Sequence, residues 1–265
     1  MNIKMIVMDL DGTLLDSNKE ILKETEDILK KLQNQGVILV LASGRIKPRM
    51  ERYYKQLEID THNGYLIEAN GSALYSFKEN KRTIYQSLNK DNIKEILRFI
   101  ESKYPEKTLS ILAMHHVYVR VKDENRLKKL YGNRILTPFS SFDELDDIYF
   151  KVNIFGNERI DKIKEDIICT FSNKYWAGKT SPYTIEIVLN GVSKGNVVEE
   201  LMKSFHLKKE EVVIFGDGEN DISMMEKGTG VCMANALESV KKRVSFHTLS
   251  NDENGIVYML KKWVE

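Results

Sequence analysis

Short apolar runs, each ending in a polar or glycine-bearing break, set the plan of the chain. Lys4 to Leu10 is nearly all apolar, too brief to span a membrane and bounded by charge, as suits a strand buried on both faces of a parallel sheet. Val37 to Ala42, Val212 to Phe215 and Val231 to Met233 repeat that texture. Between the first two runs, Ile21, Leu22, Thr25, Ile28, Leu29 and Leu32 recur at helical spacing behind a candidate capping box, Ser17-Asn18-Lys19-Glu20, and the helix is expected to stop at Gly36. Strand, helix, strand makes a βαβ unit with a right-handed crossover. After Ser43-Gly44-Arg45, Pro48 falls in what should be the first turn of the next helix. The same rhythm returns late in the chain, with helices expected over Lys194 to Phe205, Asp221 to Lys227, Leu237 to Lys242 and Ile256 to Val264.

The middle third has another texture. Tyr65 to Tyr85 carries short apolar runs broken by Asn70-Gly71 and by Lys78 to Arg82, which reads as a hairpin. Residues 84 to 188 then read as a separate α/β unit. Its expected helices surround Ile93 to Ile100, Asn125 to Tyr131 and Glu158 to Phe171, and its strands lie at Leu109 to Ala113, Val117 to Val121, Ile148 to Phe155 and Tyr183 to Val188. The economical architecture is α/β: a doubly wound, Rossmann-like parallel sheet built from residues 1–83 and 189–265, with an α/β domain of residues 84–188 inserted into it.

Composition narrows the function classes. Forty Lys plus Arg against thirty-nine Asp plus Glu leave a formal charge of +1, without a run of five like charges, so neither nucleic acid nor a membrane surface is expected as a partner. The middle unit, with 17 basic and 15 acidic residues, is no exception. Cys169 and Cys232, the two cysteines, lie in apolar neighbourhoods and read as small core residues of a reduced, cytoplasmic protein. The longest apolar run found, Val37 to Ala42, is far below spanning length, and no signal-peptide pattern opens the sequence. Asn70-Gly71-Ser72 matches a glycosylation sequon but reads as a turn.

The chemistry-bearing residues gather where strands should give way to helices: Asp9 and Asp11, Ser43-Gly44, Ser193-Lys194-Gly195, and Gly216-Asp217-Gly218-Glu219-Asn220-Asp221. In a parallel sheet all four clusters meet at one edge, in the crevice where open α/β folds bind ligands. Carboxylates within about 4 Å repel by roughly 4 kcal/mol per pair at an effective dielectric of 20, so Asp9, Asp217 and Asp221 together call for a divalent cation. Oxygen ligands without His or Cys favour magnesium over zinc. Such an ion with a lysine, a serine hydroxyl and helix-start amides describes a phosphate site. The chain has no P-loop, and Ile222 stands where an EF-hand needs glycine. A bland alternative leaves Asp9 and Asp11 as turn formers beside Gly12, and Lys194 as a solvated helix-start lysine.

The four clusters, in this order, resemble the motifs of the haloacid dehalogenase superfamily phosphatases, in particular the Cof-type group with an inserted C2-type (C2B) cap. Asp9-Leu10-Asp11-Gly12-Thr13-Leu14-Leu15 is similar to motif I, Ala42-Ser43-Gly44-Arg45 to motif II, Val192-Ser193-Lys194-Gly195 to motif III, and Gly216 to Asp221 to motif IV. The resemblance implies a nucleophile at Asp9, which takes the phosphoryl group as an aspartyl-phosphate, and a general acid and base at Asp11. It further implies a magnesium ion on the side chains of Asp9 and Asp217 and the Asp11 carbonyl. Phosphate would be held by Leu10, Ser43, the Gly44 amide, Lys194 and Asn220, and Asp221 would orient the lysine or a metal-bound water. The family often has Thr-Gly-Arg where Ser43-Gly44-Arg45 stands and Met-Gly-Asn-Ala where Met233-Ala234-Asn235-Ala236 stands; Lys242 to His247 lacks its usual Ala-Asp pair.

The expected activity is therefore magnesium-dependent hydrolysis of a small phosphorylated metabolite such as a sugar phosphate, by a monomer or weak homo-oligomer. A phosphotransferase of the hexose-phosphate mutase kind would use the same aspartyl-phosphate, and a non-catalytic phospho-acceptor is a third class. Arg45 either contacts phosphate or pairs with a carboxylate. His115 and His116, placed in a strand with no carboxylate nearby in sequence, read as structural or substrate-facing.

Overall fold

The computed structural model describes residues 1–120, 136–156, 160–181 and 183–264. These residues form two compact units: Met1–Tyr85 with Ser193–Glu265, and Gln86–Val192. The second unit opens two residues later and closes four residues later than the sequence pattern suggests.

The first unit is built on an eight-stranded sheet in the order β14-β13-β12-β1-β2-β3-β4-β5. Its strands are β1 (Met5–Met8), β2 (Ile38–Ala42), β3 (Tyr65–Glu68), β4 (Ala73–Ser76), β5 (Lys81–Ile84), β12 (Val212–Gly216), β13 (Thr229–Cys232) and β14 (Phe246–His247). The six strands from β14 to β3 run parallel, whereas β4 and β5 return antiparallel, so the expected hairpin is a three-stranded meander. Alternation along each central strand explains the unbroken apolar runs. Ile6, Met8, Leu39, Leu41, Val213 and Phe215 point into one layer, with Leu29 and Leu32 of α1 (Lys23–Asn34) and Ile256 and Leu260 of α8 (Gly255–Val264). Met5, Val7, Val40, Val212 and Ile214 point into the other. There they meet Val197, Val198 and Leu201 of α5 (Lys194–Ser204), Met224 of α6 (Ile222–Met225) and Val240 of α7 (Glu238–Lys241). The remaining helix of this unit, α2 (Glu51–Gln56), adds Tyr53 and Tyr54 to the first layer.

The second unit carries a six-stranded sheet in the order β10-β11-β9-β6-β7-β8. These strands are β6 (Thr108–Ala113), β7 (Val117–Arg120), β8 (Leu136–Pro138), β9 (Tyr149–Phe155), β10 (Tyr175–Ser181) and β11 (Thr184–Leu189). All neighbours are antiparallel except β7 and β8. Two helices, α3 (Lys90–Lys103) and α4 (Ile160–Phe171), bury Ile93, Ile96, Leu97, Ile100, Ile163 and Ile167 with Leu109, Ile111, Val152, Ile154, Ile185 and Ile187 of the sheet.

Several local expectations are corrected. Ser17 to Glu20 does not cap α1, whose N-cap is Leu22 without a side-chain bond. Instead the Asp16 carboxylate accepts from the amides of Asn18 (2.9 Å) and Glu20 (2.8 Å), closing a tight turn with Lys19 at φ 65°. Cys169 is exposed, because it lies off the Ile160, Ile163, Ile167 stripe of α4, whereas Cys232 is buried. The sequence pattern missed β8, β10 and β14. The helix expected near Asn125 to Tyr131 lies outside the described residues. Among the described residues no helix is long and apolar enough to cross a membrane.

Two dry faces have a measurable consequence. The near-isosteric changes Val7→Thr and Val213→Thr, on opposite faces and both fully buried, should each cost about 1–3 kcal/mol in urea unfolding. A sheet solvated on one side would show that loss for only one of the pair.

Candidate active site

Strand register assembles the site. Met8 stands opposite both Phe215 of β12 and Leu41 of β2, so the next residues, Asp9, Gly216 and Ala42, stand at one level where the three strands end. The Asp9 amide still donates to the Phe215 carbonyl (3.1 Å), and Asp217 and Ser43 follow one residue later on the flanking strands. With parallel strands about 4.8 Å apart, side chains from three strand ends must share one crevice.

The carboxylates of Asp9, Asp217 and Asp221 each place an oxygen within 4.8 Å of the others. Lys194, fully buried at the first position of α5, donates from Nζ to Asp9 Oδ1 (2.5 Å) and Asp221 Oδ1 (2.7 Å). Asp221 is committed on both oxygens, because its Oδ2 accepts from the amides of Asp217 (3.1 Å) and Gly218 (3.0 Å). Asp217 Oδ1 accepts from the Thr13 hydroxyl (2.7 Å). Asp9 Oδ2 and Asp217 Oδ2 take no hydrogen bond among the described residues. Gly12 makes room for this approach: it sits at φ +87°, and a Cβ there would fall 2.4 Å from Asp217 Oδ2.

Burial and crowding shape the charges. Burial first, then the neighbouring Asp221 and Asp217 charges, push the Asp9 carboxyl up to about 8 against the opposing pull of Lys194. Burial likewise lifts Asp217 to about 6, although the Thr13 hydrogen bond works the other way. Burial also opposes the Lys194 ammonium, yet Asp221 and Asp9 outweigh it and hold that proton above the ordinary lysine range. The crowded carboxyls of Asp9 and Asp217, oxygen-only donors that resist ionisation without a nearby cation, suit a small hard dication such as magnesium.

The other expected site residues are placed as follows. The Asp11 carboxylate is gripped by Arg45, through Nε (3.1 Å) and Nη2 (2.7 Å), and by Lys19 Nζ (3.0 Å). Burial alone would raise its pKa, but the Arg45 charge and these hydrogen bonds lower it overall. The Leu10 side chain is fully buried in the core, which leaves only its backbone to meet a ligand. Ser43 Oγ accepts from the Arg45 amide (3.2 Å), with the half-buried Gly44 between them. Asn220 is exposed, and its Nδ2 donates to Asn70 Oδ1 (3.4 Å).

His115 and His116 lie in the turn between β6 and β7, not in a strand. Folding brings them a carboxylate that sequence distance concealed. Asp147 Oδ2 accepts from the His115 amide (3.0 Å) and lies 3.0 Å from His116 Nδ1. Sequence reasoning also passed over Thr13, Lys19 and Asn70. Thr13 had a signal in its place beside Asp11-Gly12, whereas Lys19 and Asn70 had none.

A family model described as haloacid dehalogenase-like hydrolase matches residues 6–260. The chain belongs to that family. The chain is similar to YxeH of Bacillus subtilis, 29% identical over 268 residues, with 98% of each chain covered. The 5-amino-6-(5-phospho-D-ribitylamino)uracil phosphatase YitU of the same organism is 26% identical over 270 residues, covering 98% of this chain and 97% of the relative. A haloacid dehalogenase-like hydrolase of Bacteroides thetaiotaomicron has the same fold, with a TM-score of 0.87 and 26% identity over 98% of this chain and 99% of its own. The protein is thus a hydrolase of the haloacid dehalogenase type, with a mixed α/β fold and a parallel-sheet core.

The raised carboxyls predict how stability varies with pH. Both fold with a pKa above the unfolded value of 3.8, so the folded chain binds more protons, and their contribution is fully present below about pH 4 and lost as pH rises through about 8. Asp11, held low, contributes the opposite slope only in more acid solution. In chelator, the denaturation midpoint should fall between pH 5 and 8, and magnesium should flatten that fall. Lys194→Met, which strands two buried carboxylates, should cost about 3–5 kcal/mol at pH 8 and visibly less at pH 5. A chelator profile that is level or rising over this range would contradict the assignment.

Proposed function

We propose that this hydrolase is a magnesium-dependent phosphatase that cleaves phosphomonoesters of small metabolites, sugar phosphates or similar, through an aspartyl-phosphate on Asp9. The observation that carries the reading is the buried Lys194 between Asp9 and Asp221, beside an Asp9 Oδ2 that no described residue engages. Lys194 restrains Asp9 at one oxygen, so the other is the oxygen available to attack phosphorus. The phosphatase name of the relative YitU supports the reaction class.

The residues divide the work as follows. Asp9 Oδ2 forms the new bond to phosphorus as the ester oxygen departs. The Lys194 ammonium, the Ser43 hydroxyl, the backbone at Leu10 and Gly44, and the Asn220 amide would hold the phosphoryl oxygens and stabilise their developing charge. Asp11 would give a proton to the leaving alcohol and later take one from the hydrolytic water. Held ionised by Arg45 and Lys19, it is already in the form the second step needs. For the first step it must take up a proton and leave the Arg45 fork. Asp9, Asp217 and the Asp11 carbonyl would hold magnesium, which when bound supplies positive charge against the carboxylates and phosphoryl oxygens. Asp221 acts through Lys194, fixing its direction. The inserted unit of residues 86–192 would serve as a cap that selects the leaving group.

The combined barrier reduction asked of this site is large, more than roughly 20 kcal/mol for a phosphomonoester. Asp9→Asn should therefore lower phosphate release more than about a hundredfold while leaving the circular dichroism spectrum unchanged. Full-length protein should release phosphate from members of a phosphorylated-metabolite panel with magnesium, and should stop when the ion is chelated. Turnover that survives exhaustive chelation, or a nearly active Asp9→Asn protein, would overturn the reading.

A further inference from the structure

The turn after β3 is strained, buried and close to three of the four site clusters, and nothing in the reaction described above uses it. Ala69, Asn70 and Gly71 follow one another at φ 48°, 60° and 102°, three consecutive left-handed residues of which only the last is glycine. Such conformations persist where the surroundings over-determine them, and they concentrate at functional sites. The surroundings here are specific. Glu68, fully buried at the end of β3, accepts from the Lys47 amide and from the Arg82 guanidinium, which anchors the entry to the turn. The Ala69 amide donates to the Arg45 carbonyl (3.0 Å) and the Asn70 amide to the Ser43 carbonyl (3.0 Å), so the turn is laced to the Ser43-Gly44-Arg45 loop. Gly71 packs against the start of α5 so closely that a Cβ would lie 2.2 Å from the Ser193 carbonyl oxygen and 2.9 Å from the Lys194 nitrogen.

The one side chain this frame directs at the fourth cluster is Asn70, whose Oδ1 accepts from Asn220 Nδ2 (3.4 Å). An amide nitrogen has two hydrogens. With one directed at Asn70, the other is left to a phosphoryl oxygen, and the flip that would present the Asn220 carbonyl oxygen to an anion is disfavoured. Asparagine suits the position because it tolerates the left-handed region better than other side chains and still reaches a neighbour. We propose that Asn70 is a positioning residue for phosphate recognition, acting through Asn220 and held in place by the strained turn between β3 and β4. The inference rests on the phosphatase reading and assigns a role to a residue outside the four motifs.

A double-mutant cycle on the full-length protein tests it, read by the competitive inhibition constant of inorganic phosphate and by KM for p-nitrophenyl phosphate. Asn70→Gly keeps the left-handed backbone without steric cost and removes the side chain that accepts from Asn220. It should raise both constants about three- to tenfold, as loss of one modest hydrogen bond does, while changing kcat by less than about threefold. In an Asn220→Ala background the same change should have no further effect beyond about twofold. Asn70→Ser, a second variant too short to reach Asn220, should behave alike, so that a folding defect in one does not decide the matter. Equal factors in both backgrounds, or phosphate inhibition unchanged in Asn70→Gly and Asn70→Ser, would overturn the role of Asn70. Failure of the phosphatase reading is distinguishable: there the unmutated protein itself neither cleaves p-nitrophenyl phosphate nor binds phosphate.

Discussion

Lys194 lies fully buried between Asp9 and Asp221, and the site is arranged around that contact. An ammonium removed from water is costly unless it is paired and hydrogen-bonded, and a pair of buried carboxylates is costly without a cation. Each therefore makes the others tolerable. The triad also joins elements distant in sequence: the end of β1, the first turn of α5 and the loop after β12. Asp221 extends the linkage to the backbone by accepting from the amides of Asp217 and Gly218. The loop that carries Asp217 is thus held by the same carboxylate that fixes the lysine.

That arrangement leaves an asymmetry useful for chemistry. One oxygen of Asp9 is bound to Lys194 and the other is not, so the carboxylate is oriented without being spent. Thr13 does the same for Asp217. Asp11 is treated differently: it stands at the wetter edge and is clamped by Arg45 and Lys19, which stabilise its charge instead of suppressing it. Three aspartates within one loop system thus have three electrostatic environments, set by depth and by the nearest cation. Backbone strain completes the support. The turn at Ala69 to Gly71 ties the loops after β2 and β12 to the start of α5, which hydrogen bonds within a single loop could not do.

The two units solve the problem of a buried sheet in different ways. In the first, both faces are covered by helices, and every central strand must be apolar at successive positions. In the second, α3 and α4 pack with one set of alternate residues, while Ser110, Lys151, Asn153 and Glu186 occupy the other set, with Lys151 and Glu186 paired. A strand such as β9 consequently alternates where β1 does not.

The parallel core was legible in the sequence because burial on two faces leaves an unmistakable run, as at Ile6 to Met8 and Val212 to Phe215. The grouping of candidate residues was legible because parallel strands deliver their C-terminal neighbours to one edge, so that Asp9, Ser43 and Asp217 could be placed together without coordinates. Strands of marginal apolar content escaped notice: β10 interrupts its pattern with Gly178 and Lys179, and β14 has two exposed residues whose place depends on its neighbour β13. The capping role expected of Ser17 to Glu20 failed because Asp16 offered those amides a closer acceptor. Pairings across long sequence separations were beyond any local pattern. Arg45 with Asp11, Asp147 with His116 and Asn70 with Asn220 are 34, 31 and 150 residues apart. Residue type and period determine which elements form and which strand ends carry polar chemistry. Which carboxylate is buried, which is clamped and which oxygen stays open depends on distances between loops, and only the packing of the whole unit sets those.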